Sequence, residues 1–214
     1  MAKLPGGIFG PFYGKAGNVV GTKWKDLNVL RAAPGKKTKP PTPQQLLQQQ
    51  RFALMSKVMR GMNNLLAFSF QAYAINKSGY NCALQYNLRN AITGNASSPE
   101  INYPTLLVSR GDLPAATAEP ARSVTAREII FSWTDNSGLG IAKSDDQAIL
   151  VCYDPVMNVC VFDRTTTCRG NAGGILQIPH FNNTTVHTWL AFVTADPKEI
   201  ISDSVYTGAV TVNV

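Results

Sequence analysis

Between residues 103 and 214 the chain repeats one pattern seven times: a short β-prone run, then turn residues. The runs are "TLLVSR", "EIIFSWT", "AILVCY", "VCVFD", "ILQI", "VHTWLAFVT" and "VYTGAVTVNV". Asp135-Asn136-Ser137-Gly138, Asp154-Pro155 and Asn171-Ala172-Gly173-Gly174 supply turns between them. Segments this short satisfy their backbones only by pairing sideways. Seven of them in about a hundred residues predict an antiparallel seven-stranded sandwich.

One run indicates its place in such a fold. "VHTWLAFV" alternates Val186, Thr188, Leu190 and Phe192 with His187, Trp189, Ala191 and Val193. Both sets are apolar enough for burial, which predicts a central strand. "AILVCYDPVMNVCVFD" reads as a hairpin about Asp154–Asn158. In the simplest register Tyr153 faces Val159 and Cys152 faces Cys160, and these sulfurs are expected to be thiols.

The middle of the chain reads as helix. "GKKTKPPTP" is a basic, Pro-rich connector, expected to be extended. Thr42, Pro43 and Gln45 then form a helix start with a capping box. Phe52, Met55, Met59, Met62 and Leu66 follow at steps of three and four, one apolar stripe that predicts a core-facing helix bent near Gly61. A second helix is expected across "YNCALQYNLRNAITG", with Leu84, Leu88 and Ala91 on one face and Gly94 as its stop.

Residues 1–35 hold "IFGPFY", "NVVGTKW" and "LNVLRAA", a small β-meander. "GPFYGKAG" superficially suggests a phosphate loop, but only three residues separate Gly10 from Gly14. Ala16 also stands where the hydroxyl after the lysine belongs, and a strand follows instead of a helix. Gly14–Gly17 is therefore expected to be a hairpin turn. The organisation predicted is α+β, mainly β: a Gly-rich meander over 1–35, a basic connector and two helices over 36–102, and the sandwich over 103–214.

Charge separates these parts. Residues 1–60 carry eleven Lys and Arg against Asp26 alone, whereas the remainder has a net charge of −3. A basic end points to an acidic partner: nucleic acid, a membrane surface or another subunit. Lys23, Trp24, Lys25, Arg31, Lys36, Lys37 and Lys39 are the candidate contacts, because cations beside one stacking aromatic suffice for sequence-independent nucleic-acid binding.

Chemistry is sparse by comparison. Cys82, Cys152, Cys160 and Cys168 show no metal-ligand spacing, and His180 and His187 are the only histidines. No nucleophile elbow accompanies them. Asp135, Asp145 and Asp146 lack the spacing of a helix-loop-helix calcium site and are expected to be charged turns. No catalytic residue, cofactor or metal is expected. "LPGGIFGPFYG" lacks the apolar core of a secretory signal, and no stretch is long enough to span a bilayer. The expectation is synthesis in the cytoplasm; the final location is left open, since a virion, export without a cleaved leader and an ordinary cytosolic place all fit the sequence.

Two resemblances accompany this reading. "IIFSWTDNSG" with core residue Trp133, and "VHTWLAFVTADPKEIISDSVYTGAVTV", resemble strands of fibronectin type III domains, which implies a binding or spacer module. "GKAGNVVGTKWKDLNVLR", "TPQQ", "YNLRNAITG", "SWTDNSG", "DDQAILVCY" and "VYTGAVTV" are similar to an uncharacterised Bacteroidota family of about 200-residue proteins, a likeness that implies no activity. The sequence thus points to a non-enzymatic structural or interaction protein, a subunit of a filament, virion or surface layer whose partner is itself or another structural protein. The alternative is a sequence-nonspecific nucleic-acid-binding protein.

Overall fold

The computed structural model describes residues 3, 7, 10–24, 27–35, 40–95, 98–181 and 183–212. The chain divides into two compact units, Met1–Pro43 and Gln44–Val214.

The first unit is a three-stranded meander, but its first strand is Gly14–Ala16 and not "IFGPFY", of which Ile8 and Phe9 lie outside the described residues. Strands β1 (Gly14–Ala16), β2 (Val19–Trp24) and β3 (Leu27–Ala32) pair antiparallel in that order. The turn sits later than the sequence reading placed it. Gly14, Lys15 and Ala16 pair with Gly21, Val20 and Val19, so the hairpin turns at Gly17 and Asn18. Gly17 has φ +55°, the left-handed conformation that a two-residue hairpin asks of its first position. Tyr13 adds a bridge to Lys3.

The second unit is layered around one sheet. Its helices are α1 (Pro43–Gly61, one residue of which precedes the unit), α2 (Asn63–Ser69) and α3 (Gly79–Asn90). Its strands are β4 (Ile92–Asn95), β5 (Ser98–Ile101), β6 (Glu128–Ser132), β7 (Gln147–Asp154), β8 (Val159–Asp163), β9 (Gly173–Gln177), β10 (Thr185–Val193) and β11 (Val205–Thr211). The main sheet has the order β11-β10-β7-β8, and β6 pairs with β9 in a second sheet. The fold is mainly β, with three helices and several antiparallel sheets.

β10 is central, bonded to β11 and β7, and its alternation sorts the core as the sequence implied. Trp189, Ala191 and Val193, with Ile149, Val151 and Tyr153 of β7, face the helices. Val186, Leu190 and Phe192, with Ala148, Leu150 and Cys152, face Ile129, Phe131 and Leu176 of β6 and β9. Each fully buried side chain of this size contributes about 1.5–3 kcal/mol. The helices and the sheet share one core cluster, so the expected boundary at 102/103 falls inside this unit.

The long helix breaks after Gly61, as its glycine implied, giving three helices where two were expected. Met55, Met59, Met62 and Leu66 are buried. Phe52, expected on the same stripe, is 51% exposed, because the first three turns of α1 contain no buried residue and the buried positions begin at Met55. Gly61 lies against the β7–β8 turn: a Cβ there would sit 2.7 Å from the Asn158 carbonyl oxygen. The second helix starts at Ser78, whose hydroxyl accepts from Asn81 N at 3.2 Å, and closes at Ala91. Gly94 is not its stop. The β-branched pair Ile92-Thr93 turns into β4, which pairs with β5.

"TLLVSR" is not a strand. Leu106, Val108 and Ser109 are buried, yet much of their backbone hydrogen bonding is with side chains. Trp189 Nε1 donates to Leu106 O at 3.0 Å, Val108 N donates to Ser204 Oγ at 2.9 Å, and Ser69 Oγ donates to Val108 O at 2.7 Å. This strap joins α2, α3, β10 and the segment before β11 without belonging to a ladder. The remaining six runs are strands.

The β7–β8 register is one residue off the expected one: Asp154 pairs with Val159 and Tyr153 with Cys160. Asp154 Oδ1 accepts from Val156 N and Met157 N, at 2.7 and 3.0 Å, and this carboxylate-stabilised turn closes the hairpin with a connection one residue shorter than expected. Cys152 consequently packs against the second sheet and Cys160 against the helices. They lie on opposite faces and remain thiols, as do Cys82 and Cys168.

Candidate functional site

The register of the first unit decides which candidate contacts can act together. Trp24 pairs with Leu27, Thr22 with Val29 and Val20 with Arg31, while Lys15 pairs with Val20 on the other side. Directly paired residues share a face, and faces alternate along each strand. One face therefore carries Lys15, Val20, Thr22, Trp24, Leu27, Val29 and Arg31. The other carries Ala16, Val19, Lys23, Asn28, Leu30 and Ala32.

Trp24 and Arg31 thus come together, and Lys23 does not join them. Lys25, Lys36, Lys37 and Lys39 lie outside the described residues. Lys15 joins the site although sequence reading passed over it. A turn at Gly14–Gly17 would have excluded it, whereas the Gly17-Asn18 turn puts it in a strand. Trp24 is 50% exposed, Leu27 57% and Leu30 63%, and all six residues of β3 are exposed. The described residues of this unit include no carboxylate. Tyr13 Oη donates to Asn28 Oδ1 at 3.2 Å on the second face.

The charged groups of the second unit form structural networks. Arg169 is fully buried: its Nε donates to Asp146 Oδ2 at 3.1 Å, a terminal nitrogen donates to Pro114 O at 3.0 Å, and the other donates to Asn136 Oδ1. Its guanidinium lies 4.0 Å from the Phe192 ring centroid. Burial lowers the Arg169 pKa while Asp146 opposes that shift. Asp146 is accordingly committed to an ion pair. The Asp135 carboxyl is held below its usual range by hydrogen bonds from Ser137. Among the described residues no three His, Cys, Asp or Glu side chains converge as metal ligands.

His187 packs in an aromatic cluster at one end of the helix-facing side of the main sheet. Its ring stacks on Tyr103 with 3.6 Å between centroids and a 15° tilt, and Nδ1 lies 2.8 Å from Tyr206 Oη. Burial lowers its pKa to about 4, so the imidazole is neutral at pH 7. The Cys160 thiol, pushed up to about 12 by burial, is likewise not a thiolate at neutral pH. Neither group has the activation that a nucleophile–base pair requires.

An open pocket of about 460 Å³ lies between α2 and residues 197–201. Ala67, Phe68, Ala72 and Ile201 form apolar wall, and Asn64, Gln71, Lys198 and Glu199 supply the polar groups. Glu199 is paired to Arg164 at 3.4 Å, and Arg164 covers the Phe68 ring. Among the described residues, no hydroxyl, thiol or imidazole lines this pocket.

Among the described residues, no helix is long and apolar enough to cross a membrane. A family model described as a family of unknown function (DUF6266) matches residues 11–208. No match was found among curated proteins.

Proposed function

The chain belongs to this family of unknown function, DUF6266, and we propose that it is a non-enzymatic structural protein, a subunit of a self-assembling or multi-protein structure such as a filament, virion or surface layer. The observation that carries the reading is β3. All six of its residues are exposed, and among the described residues β2 is its only strand partner. An exposed edge of this kind is a template for pairing with another chain, and a three-stranded sheet of its size gains stability from such a neighbour.

Leu30 and Val19, exposed on the face opposite Trp24, add apolar area beside that edge. The second unit supports the role of a displayed module, since its polar clusters serve packing. Its β6–β9 sheet, facing β7 and β10, is consistent with a fibronectin type III-like sandwich. The motif likeness supports a Bacteroidota source.

The test is light scattering coupled to size exclusion on nucleic-acid-free protein at low and high salt, with negative-stain images of each peak. Large regular particles or fibres are expected. A monodisperse monomer at high concentration across the salt range overturns the proposal.

A further inference from the structure

We propose that the face of β1–β3 carrying Lys15, Trp24 and Arg31 binds single-stranded nucleic acid without sequence preference, phosphates on the two cations and a base stacked on the indole. The inference is independent of assembly through the β3 edge. It starts from where the charge lies. Residues 1–43 hold eight Lys and Arg and one acid, Asp26, which equals the whole chain's formal charge of +7. Residues 44–214 hold twelve of each sign. The first unit is therefore cationic and the second electrically balanced.

Its geometry suits a strand of nucleotides. Lys15 and Arg31 flank Val20 across three adjacent strands, which sets their Cα atoms about 10 Å apart. Trp24 lies four residues farther along β2, roughly 13 Å from that row. Thr22 and Val29 pave the distance between them. Every base has a π-face, so a half-exposed indole beside two phosphate-binding cations holds any sequence. Bases locked in a duplex cannot reach it in this way, which favours single strands.

A second copy fits less well. It offers no net surplus of acid, since residues 44–214 balance their carboxylates with as many cations. The same face on a neighbour would repel.

The test uses the full-length protein stripped of nucleic acid and a labelled thymidine oligonucleotide about 20 nucleotides long, longer than a typical single-strand site. Trp133 and Trp189 are buried, so quencher-accessible tryptophan emission reports Trp24. Expected are salt-sensitive binding by anisotropy, quenching of the accessible emission, and weaker binding to the matching duplex. The K15Q/R31Q variant should lower the slope of log affinity against log salt by about 1.4, at about 0.7 per phosphate. Trp24→Ala should weaken binding roughly tenfold and Trp24→Phe less, because a phenyl ring still stacks.

Any of four results overturns the proposal: no binding, binding that leaves Trp24 emission unchanged, binding only to vesicles of anionic phospholipid, or Trp24 already shielded by self-association before ligand is added. The scattering experiment contains no nucleic acid, so its outcome for assembly is separate.

Discussion

The side chain of Asn87 satisfies both backbone groups of Leu107: Nδ2 donates to Leu107 O at 2.9 Å and Oδ1 accepts from Leu107 N at 3.0 Å. The amide thus replaces the neighbouring strand that the strap lacks. Nδ2 also donates to Ala83 O at 3.1 Å, which fixes the side chain to its own helix. Asn87→Ala should cost about 2–3 kcal/mol, since a donor and an acceptor lose their partner together. Asn87→Asp should cost at least as much at pH 7, because it turns a carboxylate toward Leu107 O. Urea unfolding of both variants checks the order.

Gly61→Ala sets helix propensity against space. Propensity alone favours alanine by about 1 kcal/mol. The added Cβ, however, would lie 2.7 Å from Asn158 O and 2.8 Å from Asn158 Oδ1, at a residue whose own φ is +55° and whose amide oxygen accepts from Tyr153 Oη. Overlap with backbone outweighs the gain, and a net loss of about 1–2 kcal/mol is expected. Thermal unfolding should shift down. An upward shift would mean that the hairpin turn yields freely.

Arg169→Met leaves Asp146 without its cation in the interior and should destabilise by about 3–5 kcal/mol. Adding Asp146→Leu should recover much of that loss, since an apolar pair of similar bulk has no charge to leave bare. Trp133 Nε1 donates to Arg169 O at 2.8 Å, so near-ultraviolet circular dichroism of the single variant should weaken. Equal stability of single and double variants would rule out the unpaired carboxylate as the cause.

His187 should make stability fall on acidification. The unfolded imidazole takes up its proton near pH 6.5 and the folded one only near pH 4. Between those values the unfolded chain binds more protons, so stability present above about pH 6.5 is lost as the pH drops toward 4. Discounted for partial exposure, the loss is about 2 kcal/mol. His187→Phe keeps the stack on Tyr103 and should flatten this part of the stability–pH profile in denaturant titrations.

Leu30→Lys places a charge beside the exposed edge, on the face opposite Trp24. It should weaken self-association by an order of magnitude or more while leaving the second unit folded. Size exclusion across a concentration series reads the effect. Unchanged oligomers would move the interface elsewhere.

The layers of this protein were legible where side-chain period alone determines burial. The alternation in residues 186–193 placed both faces of β10, and the methionine stripe found the buried side of α1 and α2. What escaped depended on contacts distant in sequence. "TLLVSR" has strand composition, but Asn87, Trp189 and Ser204 occupy its backbone, and nothing local announces them. The cysteine pairing failed because Asp154 captures two turn amides and pairs with Val159, which shortens the turn by one residue. At the candidate face, Trp24 and Arg31 were visible as residue types, whereas the exclusion of Lys23 and the inclusion of Lys15 followed from a two-residue displacement of the first hairpin.

The strap also governs when the chain can finish folding. Val108 is tied to Ser204, 96 residues later, and Leu106 to Trp189 across 83. During synthesis the strap must wait until Trp189 and Ser204 have emerged. Until then the methionine faces of α1 and α2 have no completed sheet to cover, because β10 and β11 come far later in the chain than these helices. Such long-range closure is slow and leaves apolar surface open to misassembly. Removing the last dozen residues would thus do more than trim an edge: it would strip β11 from the sheet and leave a nascent chain dependent on chaperones.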